Sequence, residues 1–415
     1  MIADTAVVGA GAAGLATAIF SRRLDPGRSV LLLDGAKKPG AKILVSGGGR
    51  CNVTNRIVSE TDFWGGQRAL VRRVLRAFSA EDAVRFFAGL NVPLHEEADG
   101  KLFPDSNRAR DVLDALVRGA GEAGATLVAD HRVTDLERTD GGFLLRTAHG
   151  DVQCRRLVLA TGGQSLPKSG SDGAGFRFAG RLGHTIIPPT PALAPLLLDA
   201  TAAASVHRAL SGVAHEAELS VWVDGRIAQR LTGSMLWTHF GISGPVALNA
   251  SRHWLRAELE GRRATLTANL CPGETFDSLD RQWTRLAASR PKGSILSAAS
   301  ALVPASVAAA ILARLGLEPT LELAHLTRVE RRTLVHGLVE WPLPVTGSRG
   351  YSYAEATAGG VRLEEVNMAT MESRVCPGLS LVGEILDVDG RIGGYNFQWA
   401  WATAFVAGRA LGAGA

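Results

Sequence analysis

Cysteine is scarce: Cys51, Cys154, Cys271 and Cys376 are the only four in 415 residues, and no two form a CxxC pair. That spacing argues against a zinc site or a thioredoxin-like motif, so no metal is expected, and it suits a reducing cytosol. No uninterrupted apolar run is long enough to span a bilayer. The chain enters a strand pattern at once, without a basic leader, so a cytoplasmic location away from membranes is expected. The formal charge of +5 is spread along the sequence, with no block of five or six like charges. Arg72, Arg73 and Arg76 are interleaved with Val71, Val74, Leu75 and Phe78, the pattern of a helix with one solvated face. No aromatic-basic module accompanies these arginines, so no nucleic acid is expected as a partner. Internal repeats and low-complexity tracts are missing too.

Glycine, by contrast, is abundant and clustered, as required where backbone must approach a ligand. The first cluster is Gly9-Ala-Gly11-Ala12-Ala13-Gly14, between an apolar strand at 5–8 and a helix at 11–23. Gly9 permits the turn, Gly11 admits a pyrophosphate, and Gly14 lets helix and strand pack closely. The helix N-terminus then offers free N–H groups to phosphate. A second strand at 30–34 ends in Asp34, twenty residues after Gly14, where an acid binds ribose hydroxyls and disfavours a 2′-phosphate. A dinucleotide is therefore expected, contacted also by Gly35 and by Val133 in a strand at 132–138.

Three further constellations point to the same ligand. The loop from Gly35 to Asn55 carries Lys42, Ser46, three successive glycines ending in Gly49, then Arg50, Cys51 and Asn52. Lys42 and Arg50 are candidates to neutralise pyrophosphate or a substrate anion, and Asn52 and Asn55 can meet a flavin edge. The strand at 152–160 leaves through Ala160-Thr161-Gly162, as a dinucleotide crossing the sheet's carboxyl edge requires. Near the end, Gly383 and Glu384 follow another strand, with Glu384 a candidate acceptor for ribityl hydroxyls. Gly393-Gly394-Tyr395-Asn396 opens a final helix whose N–H groups suit a flavin pyrimidine edge. Wrapping nearly the whole chain around one ligand points to FAD rather than NAD.

Those motifs resemble the BaiN-like flavoproteins, also known as aminoacetone-oxidase-family FAD-binding proteins, within the glutathione-reductase-type FAD superfamily. The resemblance runs the length of the chain. It rests on Ser46-Gly-Gly-Gly-Arg-Cys-Asn-Val-Thr-Asn55, Leu236-Trp-Thr-His239-Phe-Gly-Ile-Ser-Gly-Pro245, Ala356-Thr-Ala-Gly-Gly-Val361, Thr370-Met-Glu-Ser373 and Gly383 to Gln398. It implies bound FAD, a split FAD domain, and an inserted β domain carrying a helical module. Members have been linked to reduction of unsaturated steroid-like substrates and to amine oxidation.

The residue pattern gives the same organisation. We expect an α/β fold: a Rossmann-like FAD-binding domain split into 1–190 and 345–415, with an inserted antiparallel β domain and a helical module. The β domain covers 191–272 with part of 330–345, and the helices cover 273–330. Pro188 to Pro195 mark the first change of texture, and short alternating stretches fill 196–270. An FAD-dependent oxidoreductase acting on a small organic molecule follows, with His239 as candidate acid or base and Arg50 as candidate substrate anchor. No second GxGxxG lies between 151 and 350, so NAD(P)H or dioxygen would visit the flavin transiently. The alternatives are a flavoprotein that modifies tRNA and a redox sensor without turnover. The oligomeric state is not encoded in any motif.

Overall fold

The computed structural model describes residues 1–413 and divides into two compact units, Met1–Thr190 with Ala354–Ala415, and Pro191–Tyr353. The chain returns to the first unit at Ala354, later than the 345 read from the sequence.

In the first unit the opening strand, Ile2–Val8, lies between Val152–Leu159 and Val30–Leu33, all parallel. Leu379–Leu381 extends the sheet parallel on one side and Thr126–Val128 on the other. Strands buried on both faces need continuous apolar runs, which Ala6, Val7, Leu157, Val158 and Leu159 supply. The first helix, Ala12–Leu24, buries Leu15, Ala16, Ala18 and Ile19. The closing helix, Tyr395–Gly412, approaches it through Gly408, where a Cβ would stand only 2.6 Å from the Cβ of Phe20. Trp399 and Trp401 are buried along that helix, so the aromatic stripe read from the sequence packs the core. The segment expected as a loop from Gly35 holds a short helix, Ala41–Val45, and a tight turn, Ser46–Gly49. Gly47 and Gly48 sit there at φ +55° and +68°, a region costly for any residue with a Cβ.

The second unit is built on an antiparallel sheet ordered Trp341–Leu343, Ala264–Asn269, Ala214–Val223, Arg226–Thr238, Gly241–Ser243, Leu196–Leu198, Val345–Ser348. Its long hairpin turns on Asp224-Gly225, both at positive φ, the geometry that matches the twist of antiparallel strands. The strand Ala214–Val223 alternates buried and open residues, as a one-sided sheet requires. One helix, Pro245–Leu259, lies inside the stretch expected as an antiparallel β domain. Pro245 in its first turn and buried Val246, Ala250, Trp254 and Ala257 at helical spacing were its signals. Helices Phe276–Ser289, Ile295–Ser300, Ala305–Leu315 and Arg328–Val339 form the helical module. The Thr327–Glu330 capping box opens the last of them, and Gly316 ends Ala305–Leu315 in the left-handed region.

Candidate functional site

The dinucleotide cradle starts where the opening strand meets the first helix. A Cβ on Gly9 would stand 2.4 Å from Ala160 O, and one on Gly14 would stand 1.9 Å from Gly9 O. Gly11 differs: nothing lies within 4 Å of its Cβ position, so the space before the helix is open. Leu15 N bonds Gly11 O, and the N–H groups of Ala12, Ala13 and Gly14 precede that first helical bond. Asp34 accepts from Ala10 N at 2.7 Å and from Ala36 N at 2.8 Å, which fixes its carboxylate beside the turn. Gly35 packs on Arg132, and the neighbouring Val133 is buried. Across the sheet edge, Thr161 Oγ1 and Ser171 Oγ are buried hydroxyls with no partner among the described residues. Open space, free amides and orphaned hydroxyls along one edge fit a bound dinucleotide.

Lys42 and Glu384 meet each other here. The Lys42 ammonium bonds Glu384 Oε2 directly and Ser165 Oγ at 2.5 Å. Glu384 Oε1 accepts from Ser165 Oγ at 3.0 Å and from Thr357 N at 2.8 Å. Thr357 Oγ1 in turn accepts from Gln164 N and Ser165 N. Ser165 and Thr357 were absent from the sequence reading; Thr357 had a signal, since it lies in the Ala356–Val361 motif, and Ser165 had none. Glu355 was missed too. It is exposed to solvent, and partial desolvation of its carboxyl by the surrounding protein raises its pKa above the usual range while Lys42 pulls the other way.

Arg50 lies against protein groups: its guanidinium bonds Glu97 at 2.6 Å and stacks over the Phe103 ring at 4.1 Å. Ser46 Oγ donates to Ile43 O, which ends the short helix. Gly49 and Cys51 carry the turn at φ +86° and +63°. Cys51 is fully buried, and burial pushes its thiol up to about 12. At the far end, Asn396 and Gly390 exchange two hydrogen bonds and close the turn that contains Gly393 and Gly394. Gly394 caps the closing helix at φ +93°, with Thr54 backbone 2.5 Å from its Cβ position. The Asn52 amide, oriented to suit its neighbours, accepts from Gly394 N and donates to Leu102 O and Thr54 O. Asn55 donates to Gly393 O at 3.1 Å. Tyr395 is buried with its hydroxyl on Arg391, and burial raises its pKa. The loop at 46–55 thus holds the start of the closing helix through three residues. In the second unit His239 is exposed at a hairpin tip, its ring edge-on to Phe240, while Thr238 Oγ1 closes the turn on Gly241 N.

The family model described as HI0933-like protein Rossmann domain matches residues 3–410. The chain belongs to that family. A protein of Escherichia coli strain K12 named ribosomal RNA dihydrouridine synthase is 33% identical over 98% of both chains. A Clostridium scindens protein named 3-dehydro-bile acid delta(4,6)-reductase is 30% identical over 97% of this chain and 98% of its own. Among solved structures, the FrdA chain of E. coli quinol fumarate reductase aligns over 100% of this chain and 70% of that one, with a TM-score of 0.51 at 16% identity, a likeness of fold. The cofactor is FAD, and the protein is an FAD-dependent oxidoreductase. The open space at Gly11 before the first helix fits the pyrophosphate of that cofactor. No helix among the described residues is long and apolar enough to cross a membrane.

Proposed function

We propose that this chain saturates a carbon–carbon double bond conjugated to a carbonyl, and that its substrate is a uracil base of ribosomal RNA. The observation that carries the reaction class is Glu355, a carboxyl whose hold on its proton is strengthened by desolvation beside the Lys42–Glu384–Ser165 cluster. Saturation places a hydride on one carbon and a proton on its neighbour, so a proton donor must accompany the hydride source. FAD, when bound and reduced, supplies the hydride. Glu355 holds the proton, and Lys42 limits how far its affinity for that proton rises. Ser165 and Thr357 fix Glu384, which holds Lys42 in place. A reduced nicotinamide, entering the same site transiently, is the electron source.

Support for uracil comes from the E. coli relative and from a Haemophilus influenzae protein of the same name, 32% identical over 97% of this chain. The C5=C6 bond of uracil is conjugated to its C4 carbonyl, so a hydride at C6 and a proton at C5 give dihydrouridine. This reading departs from the expectation of no nucleic-acid partner. The Clostridium relative supports a second substrate, a steroid-like dienone, through the same bond chemistry. The test is anaerobic incubation of flavin-loaded protein with reduced nicotinamide and unmodified ribosomal RNA, followed by mass spectrometry of the digested nucleosides. Dihydrouridine is the expected product. Unchanged RNA alongside consumption of a 4,6-dienone would replace the first substrate by the second.

A further inference from the structure

Within the second unit, the helix Phe276–Ser289 turns Leu279 and Trp283 into the core. By helical spacing, Arg281 and Arg285 lie on the opposite face, one turn and about 6 Å apart. Both are exposed, as are Arg290 and Lys292 just past the helix end, and none of the four has an ion-pair partner among the described residues. The neighbouring helix Arg328–Val339 adds Arg328 and Arg332, both exposed. The two helices are tied side by side by Arg331 on Asp280 at 2.9 Å and by Arg332 over the Phe276 ring at 4.6 Å. Nearby acids are few and mostly engaged: Asp280 is held by Arg331, and Glu330 closes the capping box on Thr327. Asp277 is exposed at the helix start. Elsewhere in this unit Arg262 pairs with Asp224, while Arg226, Arg230 and Arg263 are exposed on or beside the sheet.

We propose that this two-helix face docks the phosphate backbone of RNA, with Arg281, Arg285, Arg328 and Arg332 as its phosphate contacts. The proposal rests on the RNA reading above and adds where the polyanion is held. Exposed arginines without carboxylate partners, spaced along neighbouring helices, match a row of phosphates and bind it without reading sequence. A lipid surface fits less well, because Val329 is the sole large hydrophobic side chain exposed between residues 274 and 340.

The test is fluorescence anisotropy of flavin-loaded protein with a labelled ribosomal RNA hairpin across a salt series. R281A/R285A/R328A/R332A should bind at least tenfold more weakly than wild type and show a shallower salt slope, by roughly 0.7–0.9 per lost phosphate contact. The matching set of arginine-to-lysine changes should restore most of the binding, and flavin content should stay constant in both. Equal affinity and slope in wild type and the alanine variant would overturn the docking face, while dihydrouridine formed by wild type would leave the RNA reading standing. Wild-type protein that neither binds nor modifies RNA would remove both. Binding to phosphatidylserine vesicles but not to the hairpin would also overturn the proposal.

Discussion

Within Met1–Thr190 and Ala354–Ala415, polar side chains turn inward to hold loops: Glu384 to Lys42, Thr357 to the 164–165 backbone, Asn55 to Gly393. Within Pro191–Tyr353, a hydrophobic core takes in a few buried polar side chains, among them His207, Ser251 and Arg252, and the exposed arginines of the helical module lie outside it. The first unit leaves backbone open at its glycine turn; the second presents exposed side chains on a sheet and helices. A cofactor common to a family can be held by backbone geometry. A substrate that varies between relatives is more easily met by surface residues, which change without disturbing a core.

The largest effects should come from the cradle's glycines, and two of them separate binding from folding. Gly14→Val drives a side chain into Gly9 O and should unfold the first unit or cost roughly 1–3 kcal/mol or more, with flavin lost. Gly11→Val meets no protein atom within 4 Å and has an ordinary φ of −85°, so the fold should survive while flavin binding fails. Differential scanning calorimetry beside the flavin absorbance separates the two. A Gly11→Val protein that is yellow and fully loaded would show that no pyrophosphate passes this turn.

Next in size is the proton donor. Glu355→Gln should lower turnover by roughly 10²–10⁴-fold, while reduction of the flavin by nicotinamide stays at the wild-type rate. Turnover that draws its proton from Glu355 should fall as pH rises through the carboxyl's raised pKa. The carboxyl's contribution to stability runs the same way: complete below the ordinary carboxylate range and lost as pH climbs through the raised pKa. Lys42→Met removes the cation that lowers this pKa, so the falling limb should move to higher pH. A pH profile unchanged in both variants would assign the proton to another group. His239→Ala then asks whether the second unit shares this work. Its exposed ring lacks a hydrogen-bond partner among the described residues, so stability should change by no more than about 0.5 kcal/mol. Turnover should stay near wild type.

What was legible follows the same division. Gly9, Gly11, Gly14 and Asp34 stand at spacings fixed by backbone geometry, so the nucleotide unit and FAD could be read from letters alone. The pairing of Lys42 with Glu384 could not: 342 positions separate them, and only the folded loops bring ammonium and carboxylate together. Arg50 shows the same limit, since its partners Glu97 and Phe103 lie in segments that carry no cofactor motif. The Pro245–Leu259 helix was hidden for another reason. Its short apolar stretches suit strand or helix equally, and the surrounding strand texture tipped the reading.

The smallest effect should be at Cys51, which shares a motif with the cradle and still has no use for its sulfur. Burial pushes the thiol up to about 12, so at neutral pH almost none is thiolate, and the thiolate is the reactive form. No second cysteine pairs with it, since all four are free and buried. Iodoacetamide should therefore leave Cys51 unlabelled in the native flavin-loaded protein and label it after denaturation, as read by peptide mass. Cys51→Ala should keep turnover and flavin content, at a modest cost from the small cavity left by the sulfur. Rapid labelling of the native protein would mean that the 46–55 loop opens in solution. The contrast between a rigid backbone cradle and an adaptable second unit would then fail at its most buried point.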